Sequence, residues 1–165
     1  MMYEEVIRDF ATRTQKNLRA IEGLQAKGSE VYEVTQLVNS TLGLLVFPQQ
    51  EYVDRIPETP LDELRRSGWP VPRCRLGSDQ VQNLNQLIRY LRNAIAHFNL
   101  EFIGDGRAQI RLLRVWNENR AGAKTWEAEL SASDLRGITE RFIDLLLSGD
   151  PPNGQDSEPA DGSKR

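Results

Sequence analysis

Residues 78–99 carry the strongest helical signal in this chain of 165 residues. On a helical wheel at about 100° per residue, its large apolar side chains fall within about 120° of one side. These side chains are Val81, Leu84, Leu87, Ile88, Leu91, Ile95 and Phe98. A stripe of this kind is stable only when other elements cover it, so the pattern predicts a long helix, capped by Ser78, that packs on the core of a mainly helical domain.

The remaining apolar spacing predicts further helices and a small sheet. Helices are expected over residues 4–27, 30–47 and 131–147, and a short one over Leu61–Arg66. The other residues of 48–77 contain five prolines and are expected to form a long irregular connection. After residue 99 the apolar period changes to that of strands, which are expected over residues 100–103, 110–116 and 124–130.

These elements predict one domain over residues 1–148. Its fold class is mainly α: a bundle of four to five helices, with a small antiparallel β-hairpin or sheet inserted before the last helix. Residues 149–165 are rich in Pro, Gly, Ser and Asp and contain no large apolar residue. They are therefore predicted to form a disordered acidic tail.

Composition excludes several classes of protein. The chain is 39% hydrophobic and 27% charged, which is ordinary for a globular protein. Its longest apolar run, Leu42–Phe47, is too short to span a bilayer, and the N-terminus does not resemble a secretory signal. A single cysteine, Cys74, and a single histidine cannot supply a disulfide framework or a structural zinc site. We therefore expect a cytoplasmic protein that has no metal, no cofactor and no contact with a membrane.

Charge is distributed unevenly along the chain. The net charge is −3, but residues 65–124 hold 11 basic and 4 acidic side chains. All six basic side chains from Arg65 to Arg92 are arginines, which bind phosphate oxygens in a bidentate manner. This segment is expected to attract phosphates. The alternative is that these arginines pair with the acidic flanking segments.

His97 is the only histidine, and it lies near the end of the helix predicted over residues 78–99. On the wheel it falls opposite the apolar stripe, together with Asn85, Arg89 and Asn93, while Arg92 lies at the seam. Histidine is the side chain whose ordinary pKa allows proton transfer near neutral pH, so His97 is the first candidate for acid–base chemistry. The alternative is an exposed histidine with no role near a helix end.

The stretch Arg92–His97, with the sequence RNAIAH, resembles the signature of the HEPN (higher eukaryote and prokaryote nucleotide-binding) superfamily. That signature is an arginine, usually followed by a polar residue, and then a histidine after four to six positions. Residues 32–40, leading to residues 44–48, are also similar to one prokaryotic branch of the superfamily. The resemblance covers roughly residues 5–147, and the strands after residue 99 are an addition to the minimal all-helical HEPN bundle.

Many members of this superfamily are metal-independent endoribonucleases of toxin–antitoxin and defence systems. The resemblance implies that His97 is the acid–base residue, that Arg92 stabilises phosphate charge, and that Asn93 orients the site. Arg73, Arg75, Asn85 and Arg89 are expected to contact RNA phosphates. Some HEPN toxins carry a tyrosine two positions after the histidine that a partner enzyme modifies, whereas this chain has Asn99 there.

The resemblance also implies partners. Cleavage of RNA needs a base and an acid, and one histidine per chain suggests a homodimer that shares one site across a two-fold axis. RNA is the implied substrate, and an antitoxin or regulatory protein is an implied partner. The alternative function is a non-catalytic HEPN module that binds nucleotide, RNA or protein, because the superfamily includes such members.

Overall fold

The computed structural model describes residues 3–48, 53–104 and 110–148. Five helices lie wholly within these residues: α1 (Tyr3–Ala26), α2 (Glu33–Val46), α3 (Leu61–Arg66), α4 (Leu84–Ala96) and α5 (Ala132–Ser148). The strands are β1 (Arg73–Leu76), β2 (Leu100–Gly104), β3 (Ile110–Glu118) and β4 (Lys124–Ser131). The prediction of a mainly helical fold with a small antiparallel sheet before the last helix is confirmed at this level. The predicted tail, residues 149–165, lies outside the described residues.

The four strands form one antiparallel sheet in the order β1-β4-β3-β2. Strand β1 corrects the prediction of an irregular connection up to residue 77. It joins the sheet beside β4, with Arg73 opposite Glu129. All four residues of β1 are exposed, so the strand has no alternating apolar pattern that a sequence could show. Gly77 follows it with φ +66°, and a Cβ there would lie 2.2 Å from the carbonyl oxygen of Thr125, so only glycine fits.

Helices α1, α2 and α5 pack against one another, and α4 packs against α2 and strand β3. The apolar stripe of α4 is buried as predicted, since Leu87, Ile88 and Leu91 are at most 1% exposed. At the start of α5, the Ser131 hydroxyl accepts from the Asp134 backbone N–H, and the Asp134 carboxylate accepts from the Ser131 N–H. This capping box confirms the predicted start of the last helix.

Both ends of α4 differ from the predicted helix over 78–99. The helix begins at Leu84, and its N-cap is Asn83, whose side chain accepts from the Gln86 backbone N–H at 2.9 Å. Ser78 instead lies in a hydrogen-bonded turn. Val81 is 5% exposed although it precedes the helix. Because it is apolar and fits the helical spacing, the sequence pattern placed the start of the helix too early.

No helix in the described parts of the chain is both long enough and apolar enough to cross a membrane.

Candidate functional site

The C-terminal end of α4 is closed by a Schellman motif. The Asn99 N–H donates to the Ala94 carbonyl at 2.8 Å, and the Phe98 N–H donates to the Ile95 carbonyl at 3.1 Å. Phe98 adopts the left-handed conformation that this motif requires, with φ +60°. Its side chain is 83% exposed, which corrects its predicted place in the apolar stripe. The stripe ends because the helix ends at Ala96, so the helical wheel no longer applies to Phe98.

His97 is the C-cap residue of α4, directly after Ala96, and its backbone N–H donates to the Asn93 carbonyl at 3.0 Å. Its side chain is exposed, as the wheel indicates. The imidazole has no hydrogen bond or ion pair with any other residue in the described ranges, and His97 is exposed, so neither ring nitrogen is engaged by another described residue. A neutral imidazole with two accessible nitrogens can accept a proton at one and donate a proton from the other.

Arg92 and Asn93 lie on the last turns of the same helix. Asn93 is exposed and precedes His97 by four residues, so the two side chains share one face of α4. Arg92 is half-buried, at the boundary between the apolar stripe and the polar face. A guanidinium and an amide are groups that can bind a phosphodiester, and an imidazole on the same helix end can exchange a proton with a hydroxyl group beside it.

Asn85 is not part of this exposed face, which corrects its predicted contact with phosphate. It is 7% exposed, and its amide nitrogen donates to the carbonyl oxygens of Val53 and Ile56, at 2.8 and 3.0 Å. Its amide oxygen accepts from the Arg89 Nε at 2.8 Å. Asn85 therefore fixes the chain segment 53–56 to α4, and the wheel missed this because the carbonyls come from a distant connection.

Arg89 and two other arginines of the basic segment have acidic partners. Arg89 forms an ion pair with Asp54, and Arg65 pairs with Asp62 at 2.6 Å. Arg75 donates to the Glu129 carboxylate at 3.0 Å. The alternative that these arginines pair with acidic residues is therefore confirmed for all three, and only part of each guanidinium remains for a phosphate.

Arg73 and Arg75 lie on β1, at the edge of the sheet opposite to β2. His97 leads into β2, and three strand spacings, about 14 Å, separate the two edges of the sheet. Arg73 is exposed and has no ion pair among the described residues. The structure thus brings Arg92, Asn93 and His97 together on one helix end and leaves the two arginines of β1 on another part of the surface.

An ion network on the sheet was not evident from the sequence. Glu129 is 8% exposed and accepts from Arg114 at 2.9 Å as well as from Arg75, while Arg114 also pairs with Glu101. The hydrogen bonds from Arg114 and from Arg75 hold the pKa of the Glu129 carboxyl below its ordinary value, although burial opposes them. Only the strand register, which places Arg114 between Glu101 and Glu129, brings these side chains together.

The ranges that the structure describes contain no group of three or more His, Cys, Asp or Glu side chains that could hold a metal ion.

Comparison with known proteins gives one family. The family model described as HEPN pEK499 p136 matches residues 1–153 of the chain. The searches of curated proteins and of solved structures found no match to this chain.

Proposed function

Because this chain belongs to the HEPN family described as HEPN pEK499 p136, we propose that it is a metal-independent endoribonuclease that acts as a toxin or defence effector. A HEPN domain is a nucleotide- or RNA-related module, commonly a ribonuclease or toxin. The observation that carries the proposal is the exposed His97 imidazole, which shares the end of α4 with Arg92 and Asn93.

The reaction is cleavage of RNA by its own 2′-hydroxyl. A His97 imidazole removes the 2′-OH proton, and the 2′-oxygen attacks the phosphorus. Arg92 stabilises the negative charge that develops on the phosphorane oxygens, and Asn93 orients the phosphate or the imidazole. The bond to the 5′-oxygen then breaks, and that oxygen takes up a proton. The products are a 2′,3′-cyclic phosphate and a 5′-hydroxyl.

A homodimer completes the acid–base pair. One turnover needs a base for the 2′-OH and an acid for the 5′-oxygen, and each chain has one histidine. A two-fold axis near the end of α4 brings two copies of His97 to one phosphodiester, together with two copies of Arg92. The two imidazoles then act in opposite protonation states.

The test is cleavage of an end-labelled single-stranded RNA by the purified protein. His97→Ala and Arg92→Ala are expected to abolish cleavage, and Arg92→Lys is expected to impair it because an ammonium lacks the bidentate geometry. Arg13→Ala is the matched control, because Arg13 is an exposed arginine on α1 that pairs only locally with Asp9. The product is expected to end in a 2′,3′-cyclic phosphate, and DNA of the same sequence is expected to resist because it lacks the 2′-OH.

Wild-type cleavage by a folded His97→Ala protein would contradict the catalytic role of His97. Folding is checked by circular dichroism and thermal unfolding. Because the imidazole is exposed, the variant is expected to differ from the wild type by about 0.5 kcal/mol or less in unfolding free energy.

A further inference from the structure

Phe98 occupies a backbone position at which this chain otherwise uses glycine. Helices α1 and α3 also end in Schellman motifs, closed by the bonds from Ser29 N–H to Leu24 O and from Trp69 N–H to Leu64 O. Their left-handed residues are Gly28 and Gly68, with φ +78° and +80°. Phe98 is the only residue in the described ranges other than glycine that has a positive φ. A bulky side chain is unfavourable in this conformation because its Cβ crowds the following carbonyl oxygen.

Packing against the residues that the structure describes does not compensate for this cost. Phe98 is 83% exposed, more than any other large apolar residue that the structure describes. At the end of α3, the residue after the glycine is Trp69, half-buried near the buried Leu64, and this apolar pair commonly accompanies the motif. At the end of α4 the corresponding residue is Asn99, so the motif has no such apolar pair there.

The backbone on both sides of Phe98 is held in place. The Phe98 and Asn99 N–H groups donate to helix carbonyls, and the Asn99 carbonyl accepts from the Trp116 N–H at 3.1 Å. The ring is therefore presented from a fixed point, one residue after His97. Its neighbours along the chain, Ala96, His97 and Asn99, are small or polar, so no large apolar side chain adjoins Phe98 in the sequence.

We propose that Phe98 is a base-stacking residue that holds an unpaired nucleobase beside the phosphodiester bound at His97. A single open aromatic face fits a nucleobase, since stacking requires only one flat surface. The assignment rests on the proposed function, and it specifies the substrate class as single-stranded RNA, because the faces of a base within a duplex are covered by the neighbouring base pairs. Phe98 thereby sets which nucleotide is presented to Arg92 and His97.

The test is RNA binding measured by fluorescence anisotropy. All proteins carry His97→Ala, so that binding is read without cleavage, and the probe is a short unpaired RNA. Phe98→Gly is expected to weaken binding about 5- to 150-fold, the range measured for loss of one stacked base. Phe98→Trp is expected to retain binding. Tyr32→Ala is the matched control, because Tyr32 is also an exposed aromatic residue, 70% exposed, but lies at the start of α2.

Thermal unfolding separates stacking from a structural role. Glycine is the favoured residue at this position of the motif, so Phe98→Gly is expected to leave the melting temperature unchanged or raise it while binding falls. A fall in melting temperature would show that the ring packs within the protein and would overturn the proposal.

An RNA series with one abasic site moved along the strand locates the stacked base. When the abasic site replaces the stacked base, the proteins with Phe98 and with Phe98→Gly are expected to bind the RNA equally, because the RNA no longer has a base for Phe98 to stack on. Equal binding of the two proteins to every RNA would overturn the stacking role and leave the nuclease proposal standing. If Phe98→Gly instead changes the mass of the assembly, Phe98 contacts a protein.

The proposed function and this assignment can fail separately. Binding that depends on Phe98, in a protein whose wild type cleaves no RNA, would overturn the nuclease proposal and retain the stacking role. No RNA binding by any of the His97→Ala proteins would overturn the stacking role, and the nuclease proposal would still be decided by wild-type cleavage.

Discussion

The hydroxyl groups of Thr41 on α2 and Thr139 on α5 lie 2.5 Å apart and are at most 2% exposed. Each hydroxyl also lies within hydrogen-bond distance of a carbonyl in its own helix, Leu37 O at 2.8 Å and Leu135 O at 2.7 Å. A hydroxyl has one proton, so one threonine donates to its helix and the other donates across the interface. Two of the three contacts are therefore made at any moment.

This arrangement predicts additive effects of single and double substitution. Thr41→Val or Thr139→Val is expected to lower the unfolding free energy by about 1 kcal/mol, because one of the two bonds is lost and the remaining hydroxyl still donates to its own helix. The double variant loses both bonds, so its loss is expected to equal the sum of the two single losses within about 0.5 kcal/mol. Urea unfolding measures all four proteins, and a double loss clearly below the sum would contradict the count of two bonds.

Asn85 is predicted to be important for stability. Asn85→Ala removes both donors from the carbonyls of Val53 and Ile56, so it is expected to cost about 2–3 kcal/mol. Asn93→Ala is the matched control on the same helix, because Asn93 is exposed, and it is expected to change stability by about 0.5 kcal/mol or less. Equal unfolding midpoints for the two variants would show that the segment 53–56 does not depend on Asn85.

Glu129 is predicted to make stability sensitive to acid. Its folded-state pKa is lowered, chiefly by the hydrogen bond from Arg114, so its contribution is complete above the unfolded pKa of about 4.3. This contribution is lost as the pH falls from there through the folded-state pKa. Glu129→Gln is expected to be less stable than the wild type at pH 7, and the difference is expected to shrink as the pH falls below about 4.

Urea unfolding at a series of pH values measures this difference. Glu58→Gln is the control, because Glu58 is exposed and has no hydrogen bond or ion pair with another described residue. A wild-type advantage that stays constant down to pH 3 would mean that the advantage does not depend on ionisation of the Glu129 carboxyl.

Cleavage is predicted to survive removal of divalent cations. The proposed mechanism takes its base, its acid and its phosphate ligand from side chains at the end of α4, so EDTA is expected to leave the rate unchanged. Loss of activity in EDTA, with recovery on addition of magnesium or manganese, would assign the reaction to metal-ion catalysis instead.

Subunit mixing is predicted to reveal the shared site. Light scattering is expected to give about twice the 18.8 kDa mass of one chain. After equal amounts of wild type and His97→Ala exchange subunits, about a quarter of the dimers carry two histidines. Activity is therefore expected to be about a quarter of that of the same total amount of wild-type protein. A fall to about half would mean that each chain works by itself, and a monomer would exclude the shared site.

Helical periodicity was sufficient to predict which side of α4 is buried and on which side His97 lies. Leu87, Ile88 and Leu91 define the buried side of α4, and this places His97 on the opposite side. The exposure of Phe98 could not be predicted in this way, because neither glycine nor proline marks the end of the helix. The burial of Asn85 also escaped prediction, because its partners come from another part of the chain.

The sheet shows the same limit. Strands β2, β3 and β4 could be predicted from their turns and alternation, but β1 could not, because its four residues have no buried face. The pairing of Arg75 and Arg114 with Glu129 follows from strand register, which hydrophobic patterning specifies only where one face is buried.

Residues 97–99 are the whole link between α4 and the sheet, and both ends of the link are hydrogen-bonded. The backbone N–H of Asn99 donates to a carbonyl of α4, while the backbone carbonyl of Asn99 accepts from the Trp116 N–H on β3. Local unfolding of either element therefore breaks the same junction, so amide hydrogen exchange at Asn99 and at Trp116 reports one cooperative opening. The lifetime of the position of His97 is then set by whichever of the two elements opens faster, and a ligand that slows that opening also prolongs the time for which the imidazole stays in place.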